Sequence, residues 1–176
     1  MLLSRWLYRT RQAVHYLRAA PDTASLERAR RILSPPLWRL FLRMTPSEQA
    51  HALGVLETLQ RRGETHPDLL QAALLHDAGK AEAPPLRLWE RALVVLTAPL
   101  WRKAHSLWAA SPPRGWRRPF VIAALHPLWG AQQAQKAGAS QRVVSLILNH
   151  QETLTAPPQN EFERLLEALQ AADDEN

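Results

Sequence analysis

Apolar positions recur every three or four residues along most of this chain, and proline cuts the pattern into segments. That period belongs to helices packed through one face, and no stretch shows the strict alternation of a half-buried strand. Residues 2–19 predict a basic amphipathic helix ended by "AAPDTAS", and residues 24–33 a second that runs to Ser34-Pro35-Pro36, with "LWRLFLRM" after it. "TPSEQAHALGVLETLQRR" carries a strong start signal: Thr45 as N-cap, Pro46 in the first helical position and Glu48 closing a capping box. Leu53, Leu56 and Leu59 mark its buried stripe, with His51 in the second turn. The signal recurs in "THPDLLQAALLHDAGK", where Thr65 and Asp68 predict the cap, Pro67 the start and Gly79 the end. Positions 70, 73, 74 and 77 share a face of that helix, so Asp77 is expected to point into the core with Leu70 and Leu74.

Further on, the spacing predicts a helix over 86–97, then another broken at Ser111-Pro112-Pro113. A helix is expected to begin at Pro127, with His126 just before it. "SQRVVSLILNHQE" predicts a buried helix from an N-cap at Ser140 to His150, and after Pro157-Pro158 an amphipathic helix capped by Asn160 closes the pattern. At 176 residues this is one structural domain. Residues 1–44 are expected to pack as N-terminal helices on a bundle formed by 45–176. The fold class expected is all-α, a single helical bundle.

Composition sharpens the chemistry. With 0 cysteines there is no disulfide, thiolate metal site or cysteine nucleophile, so any metal is held by nitrogen and oxygen. A net charge of +6, carried almost entirely by arginine, suits anionic partners: nucleotides, nucleic acid or a phospholipid surface. No apolar run reaches the ~18 residues of a membrane span and the opening residues lack a signal peptide's apolar core, so a cytoplasmic protein is expected.

Against this apolar background, six polar groups fall on inward faces or helix ends: His51, His76, Asp77, His126, His150 and Asp173. Asp173 rather than Asp174 continues the stripe of Phe162, Leu165, Leu166 and Leu169. The groups recur at about one helix plus one connection, roughly 20–25 residues, with a double interval between Asp77 and His126. Any one histidine alone is explained as a hydrogen-bonded core residue, and Asp173 alone as a solvated residue at a frayed helix end. Together, buried acids among four histidines call for charge compensation, which a bound cation supplies.

The residues also carry a resemblance. "LLHDAGK", containing His76-Asp77, resembles the signature of the HD-domain metal-dependent phosphohydrolases, which are helical bundles. "HPLWGAQQAQKAG", "LILNHQE" and "LQAADDEN" resemble later elements of its HDIG and HD-GYP branches, in the family's order, and His51 stands where the family has its upstream histidine. The resemblance implies one ion held by His51, His76, Asp77 and Asp173, with Asp77 bridging to a second held by His126 and His150. His150-Gln151 replaces the histidine pair common in the family, which argues against a third ion. The GYP element is missing, which removes the support for cyclic dinucleotide hydrolysis of that kind.

A nitrogen and carboxylate set of this sort suits Fe, Mn, Co, Ni or Zn. Two such ions acidify a water for in-line attack on phosphorus, so the expected activity is hydrolysis of a nucleotide or other phosphate ester, with Asp77 and Lys80 the catalytic candidates. Lys80 either meets the phosphate or pairs with the helix C-terminal dipole. Two rivals stand beside this. A few HD-fold proteins are di-iron oxygenases. Alternatively the bundle is a regulatory module that binds nucleic acid, nucleotide or the surface of an anionic membrane through residues 86–118, where Trp89, Trp101, Trp108 and Trp116 interleave with arginines. His15, His66 and His105 lie outside the ligand pattern and are expected at the surface or in caps.

Overall fold

The computed structural model describes residues 20–87, 113–154 and 156–176, together with positions 89, 90, 93, 94 and 97. The expected helix over 2–19, most of the 86–112 stretch, Trp101, Trp108, His15 and His105 lie outside the described residues. Among those described, the protein is all-helical, with seven α-helices and no strand. They are α1 (Thr23–Ile32), α2 (Pro35–Leu42), α3 (Pro46–Arg61), α4 (Pro67–Leu75), α5 (Arg118–Lys136), α6 (Gln141–Asn149) and α7 (Glu161–Asp173). A 3-10 turn, Ala78–Glu82, follows α4. No described helix is long and apolar enough to cross a membrane.

The caps explain most of the boundaries. Thr45 and Glu48 form the reciprocal capping box of α3, with the Glu48 carboxylate accepting from Thr45 N at 2.9 Å; such a cap contributes about 1 kcal/mol. Ser140 and Asn160 cap α6 and α7 as expected. The cap of α4 differs. His66, not Thr65, is the N-cap, its Nδ1 accepting from Asp68 N at 3.2 Å. Pro67 occupies the first helical position, which makes the residue just before it the cap and leaves Thr65 outside.

α4 is the axis of the bundle. Leu69, Ala72, Ala73, Leu74 and Leu75 are fully buried, and the helix touches α1, α2, α3, α6 and α7. Each buried leucine contributes about 1.5–3 kcal/mol, so the end of α4 is held firmly. His76 is its C-cap and Asp77 lies just beyond, both buried.

Two expectations are corrected here. Gly79 does not end α4, which stops at Leu75; it lies inside the 3-10 turn, buried against α5. Nor does a helix begin at Pro127. α5 runs through it unbroken, with His126 in its middle. A proline inside a helix forfeits one hydrogen bond and costs about 3 kcal/mol, so something must offset that loss.

A candidate metal centre

The carbonyl left without a backbone donor by Pro127 is that of Ala123, four residues earlier. The His126 ring takes it over: Nδ1 lies 3.0 Å from Ala123 O and 3.1 Å from Ile122 O. The proline thus supplies an acceptor that turns the His126 ring inward. His76 and His150 are oriented in the same way, by Ala73 O at 2.9 Å and Ile147 O at 2.8 Å. A carbonyl only accepts, so each of these rings carries its proton on Nδ1, and as a neutral imidazole it aims a lone pair from Nε2. Metal-binding histidines are held in this manner.

The Nε2 atoms meet in two close pairs. His126 Nε2 is 3.3 Å from His150 Nε2, and His76 Nε2 is 3.3 Å from His51 Nε2. Two neutral imidazoles meeting through lone pairs repel each other unless a cation or proton lies between them. Two nitrogens bound about 2.0–2.1 Å from one ion at octahedral to tetrahedral angles stand roughly 2.8–3.4 Å apart. The observed separations fit that spacing.

The carboxylates complete two groups. Asp77 Oδ1 is 3.2 Å from His126 Nε2, whereas Oδ2 is 3.7 Å from His76 Nε2 and 3.9 Å from His51 Nε2. Within each triad, His51–His76–Asp77 and Asp77–His126–His150, the donor atoms all lie within 4.8 Å of one another and can hold a metal ion. Asp173 joins the first through Oδ1, 2.8 Å from His51 Nε2 and 3.4 Å from His76 Nε2. All six residues singled out from the sequence therefore meet, drawn from α3, the end of α4, α5, the end of α6 and the end of α7. The donor set is four imidazoles and two carboxylates without a thiolate, which suits a first-row transition ion.

Electrostatics inside the cluster are tightly opposed. Burial alone pushes the His76 imidazole down, but the Asp77 and Asp173 carboxylates outweigh it and raise the value to about 9. Burial pushes Asp77 up, yet Lys80 and His76 hold it well below the carboxylate range; Asp173 is likewise raised by burial and held far lower by His76 and His51. Burial lowers His126, and it lowers His150 to about 3, helped there by His126 and His76. Without an ion, the His76 proton balances the acids. Metal uptake at neutral pH must displace that proton, because ligand imidazoles bind deprotonated. Apparent affinity should therefore climb from pH 6.5 towards about 9 and level off above it, with proton release visible when titration heats are compared across buffers. The linkage for ion-free protein has the opposite slope. A raised folded value adds stability below 6.5 that is lost as the pH rises through about 9.

Lys80 Nζ sits 2.5 Å from Asp77 Oδ2, with its side chain 32 % exposed. It is paired with Asp77 rather than with the carbonyls that end α4. Gln151 was not singled out from the sequence as a site residue, yet its side-chain amide stands 3.5 Å from His126 Nε2. Its position next to His150 was the available signal.

The chain was compared with known proteins at three levels. Nothing matches it: no family model, no curated protein and no solved structure.

The proline offers a direct check on that cluster. Pro127→Ala restores an N–H that competes for Ala123 O. We expect α5 to gain stability, by no more than the about 3 kcal/mol propensity difference, while the His126 side of the cluster loses about tenfold in metal affinity. Thermal melts and a metal titration on one preparation measure both.

Proposed function

We propose that this protein is a metal-dependent phosphohydrolase or phosphodiesterase built on an HD-type bundle, acting on a nucleotide or other phosphate ester. One observation carries the reading: Asp77 turns its two carboxylate oxygens towards two separate histidine groups. His51, His76, Asp77 and Asp173 would hold one divalent ion, and Asp77, His126 and His150 the other. Ions bound there supply a Lewis acid for phosphoryl oxygens and acidify water.

The chain's own groups do the rest. Asp77 ties the two groups to one another, and the backbone carbonyls of Ala73, Ala123 and Ile147 keep the imidazoles aimed before any ligand arrives. Preorganised dipoles of this kind need no rearrangement during the reaction. Lys80 adds a partly exposed ammonium beside Asp77. A cluster that gathers cations and leaves an ammonium towards solvent selects an anion, and the net charge of +6 favours its approach.

The test is hydrolysis of nucleotides and phosphodiesters by the protein as purified, after chelation, and after reconstitution with Mn, Fe, Co, Ni or Zn. Turnover that persists in metal-free protein ends the reading.

A second reading, recognition of nucleic acid or anionic lipid, is favoured by a different observation. Trp89 and Trp116 are 54 % and 62 % exposed, and the Arg117 guanidinium lies 5.4 Å from the Trp116 ring centroid. Exposed tryptophan beside arginine stacks on bases or settles at a bilayer surface. Salt-dependent binding to RNA or anionic vesicles that survives loss of His126 and His150 would support it; binding to neither would remove it.

A further inference from the structure

Asp173 is the most exposed of the six clustered side chains, at 29 %, and it is the final residue of α7, where helices ordinarily fray. Its carboxylate nonetheless stands 2.8 Å from His51 Nε2. Something fixes this helix end. Asn176 Nδ2 donates to Ala172 O at 2.8 Å and to Thr58 Oγ1 at 3.0 Å, and Asn176 N donates to Asp173 O at 3.2 Å. Arg62 Nη2 adds bonds to Ala171 O at 3.4 Å and Glu175 Oε2 at 2.8 Å.

The partners on α3 and its C-cap lie at successive turns of one helical face: His51, Gly54, Thr58 and the C-cap Arg62. Gly54 makes the seat. A Cβ there would come within 2.7 Å of Asn176 Oδ1, closer than such atoms pack, so alanine at this position must displace the amide end of the Asn176 side chain from its seat. Glycine in the interior of α3 weakens the helix relative to alanine. Its gain is the notch.

We propose that Asn176, seated over Gly54 and bonded to Thr58, is a positioning residue that holds Asp173 in the first ligand group. The inference rests on the reading that this group binds a metal ion. It goes further in assigning control of one of the two sites to a contact outside both.

The test uses the full chain and Co²⁺, followed by calorimetric titration and by the visible absorption of the bound ion. Asp173→Ala identifies which binding step belongs to the first group. Gly54→Ala and Asn176→Ala should each weaken that step by about 10- to 100-fold and alter its absorption, leaving the other step unchanged. The double variant should be no worse than either single one, because both remove the same contact. Gly54→Ala strengthens the helix itself, so its loss of affinity cannot be ascribed to a weakened α3. Wild-type affinity and spectrum in both single variants would overturn the positioning role while leaving the metal reading intact, and so would additive losses in the double variant. A wild-type protein that takes up no Co²⁺ would overturn both.

Discussion

Asp77→Asn should bind neither ion and lose all metal-dependent turnover. The side chain keeps its shape and one acceptor oxygen but loses the charge and the second oxygen, and each of the two histidine groups depends on a different one of those oxygens. Altering residues that merely orient a ligand costs about 10- to 100-fold in metal affinity. Removing a ligand common to both groups should cost more than about 100-fold at each. Asparagine also leaves Lys80, now 2.5 Å from the carboxylate, without its counter-ion in a cluster that must accept further positive charge. The comparison variants make the prediction sharp. Asp173→Asn and His150→Ala each touch one group only, so metal analysis should give one ion in those and none in Asp77→Asn. If Asp77→Asn still retains one ion at wild-type affinity, the shared role of its carboxylate is wrong.

Much of this arrangement is legible in the sequence, for reasons that are local. α3, α6 and α7 begin where Thr45, Ser140 and Asn160 can accept from the first turn, and capping is a short-range interaction that sequence displays directly. The six clustered side chains were legible because polar groups on apolar faces are costly and therefore informative. What was not legible depended on approach between distant segments. Pro127 reads as a helix start because a proline interrupts its own backbone ladder; that α5 continues depends on the His126 ring bonding the freed carbonyl, which follows only once His126 faces Asp77. Thr65 matches a cap by residue type, but a proline in the first helical position makes the residue before it the cap, Thr45 before Pro46 and His66 before Pro67. Gly54 and Asn176 are far apart in sequence and carry no signal alone, beyond the oddity of a glycine inside a strong helix.

Gly79 belongs to that second class, and its replacement should be the most damaging change outside the ligands. A Cβ at Gly79 would lie 2.0 Å from His126 O and 2.5 Å from Gly130 N. Both are backbone atoms of α5, so no rotamer change relieves the clash. To regain even a 3.0 Å contact, the turn and the helix must separate by about 1 Å. Overpacking of this severity costs about 3 kcal/mol. For a chain of this length that lowers the melting temperature by roughly 6–12 °C. The same separation falls on the 3.2 Å contact between Asp77 Oδ1 and His126 Nε2, because Asp77 and His126 flank the point of contact. Gly79→Ala should therefore lose the ion shared with His126 and His150 and keep the one held with His51, His76 and Asp173. Gly63→Ala is the control for generic glycine loss: its φ of 79° strains alanine, but nothing lies within 4 Å of the added carbon. That variant should lose about 1 kcal/mol and bind both ions normally. A Gly79→Ala protein with unchanged melting and two ions would show that the close approach of this turn to α5 does not set the spacing of the cluster.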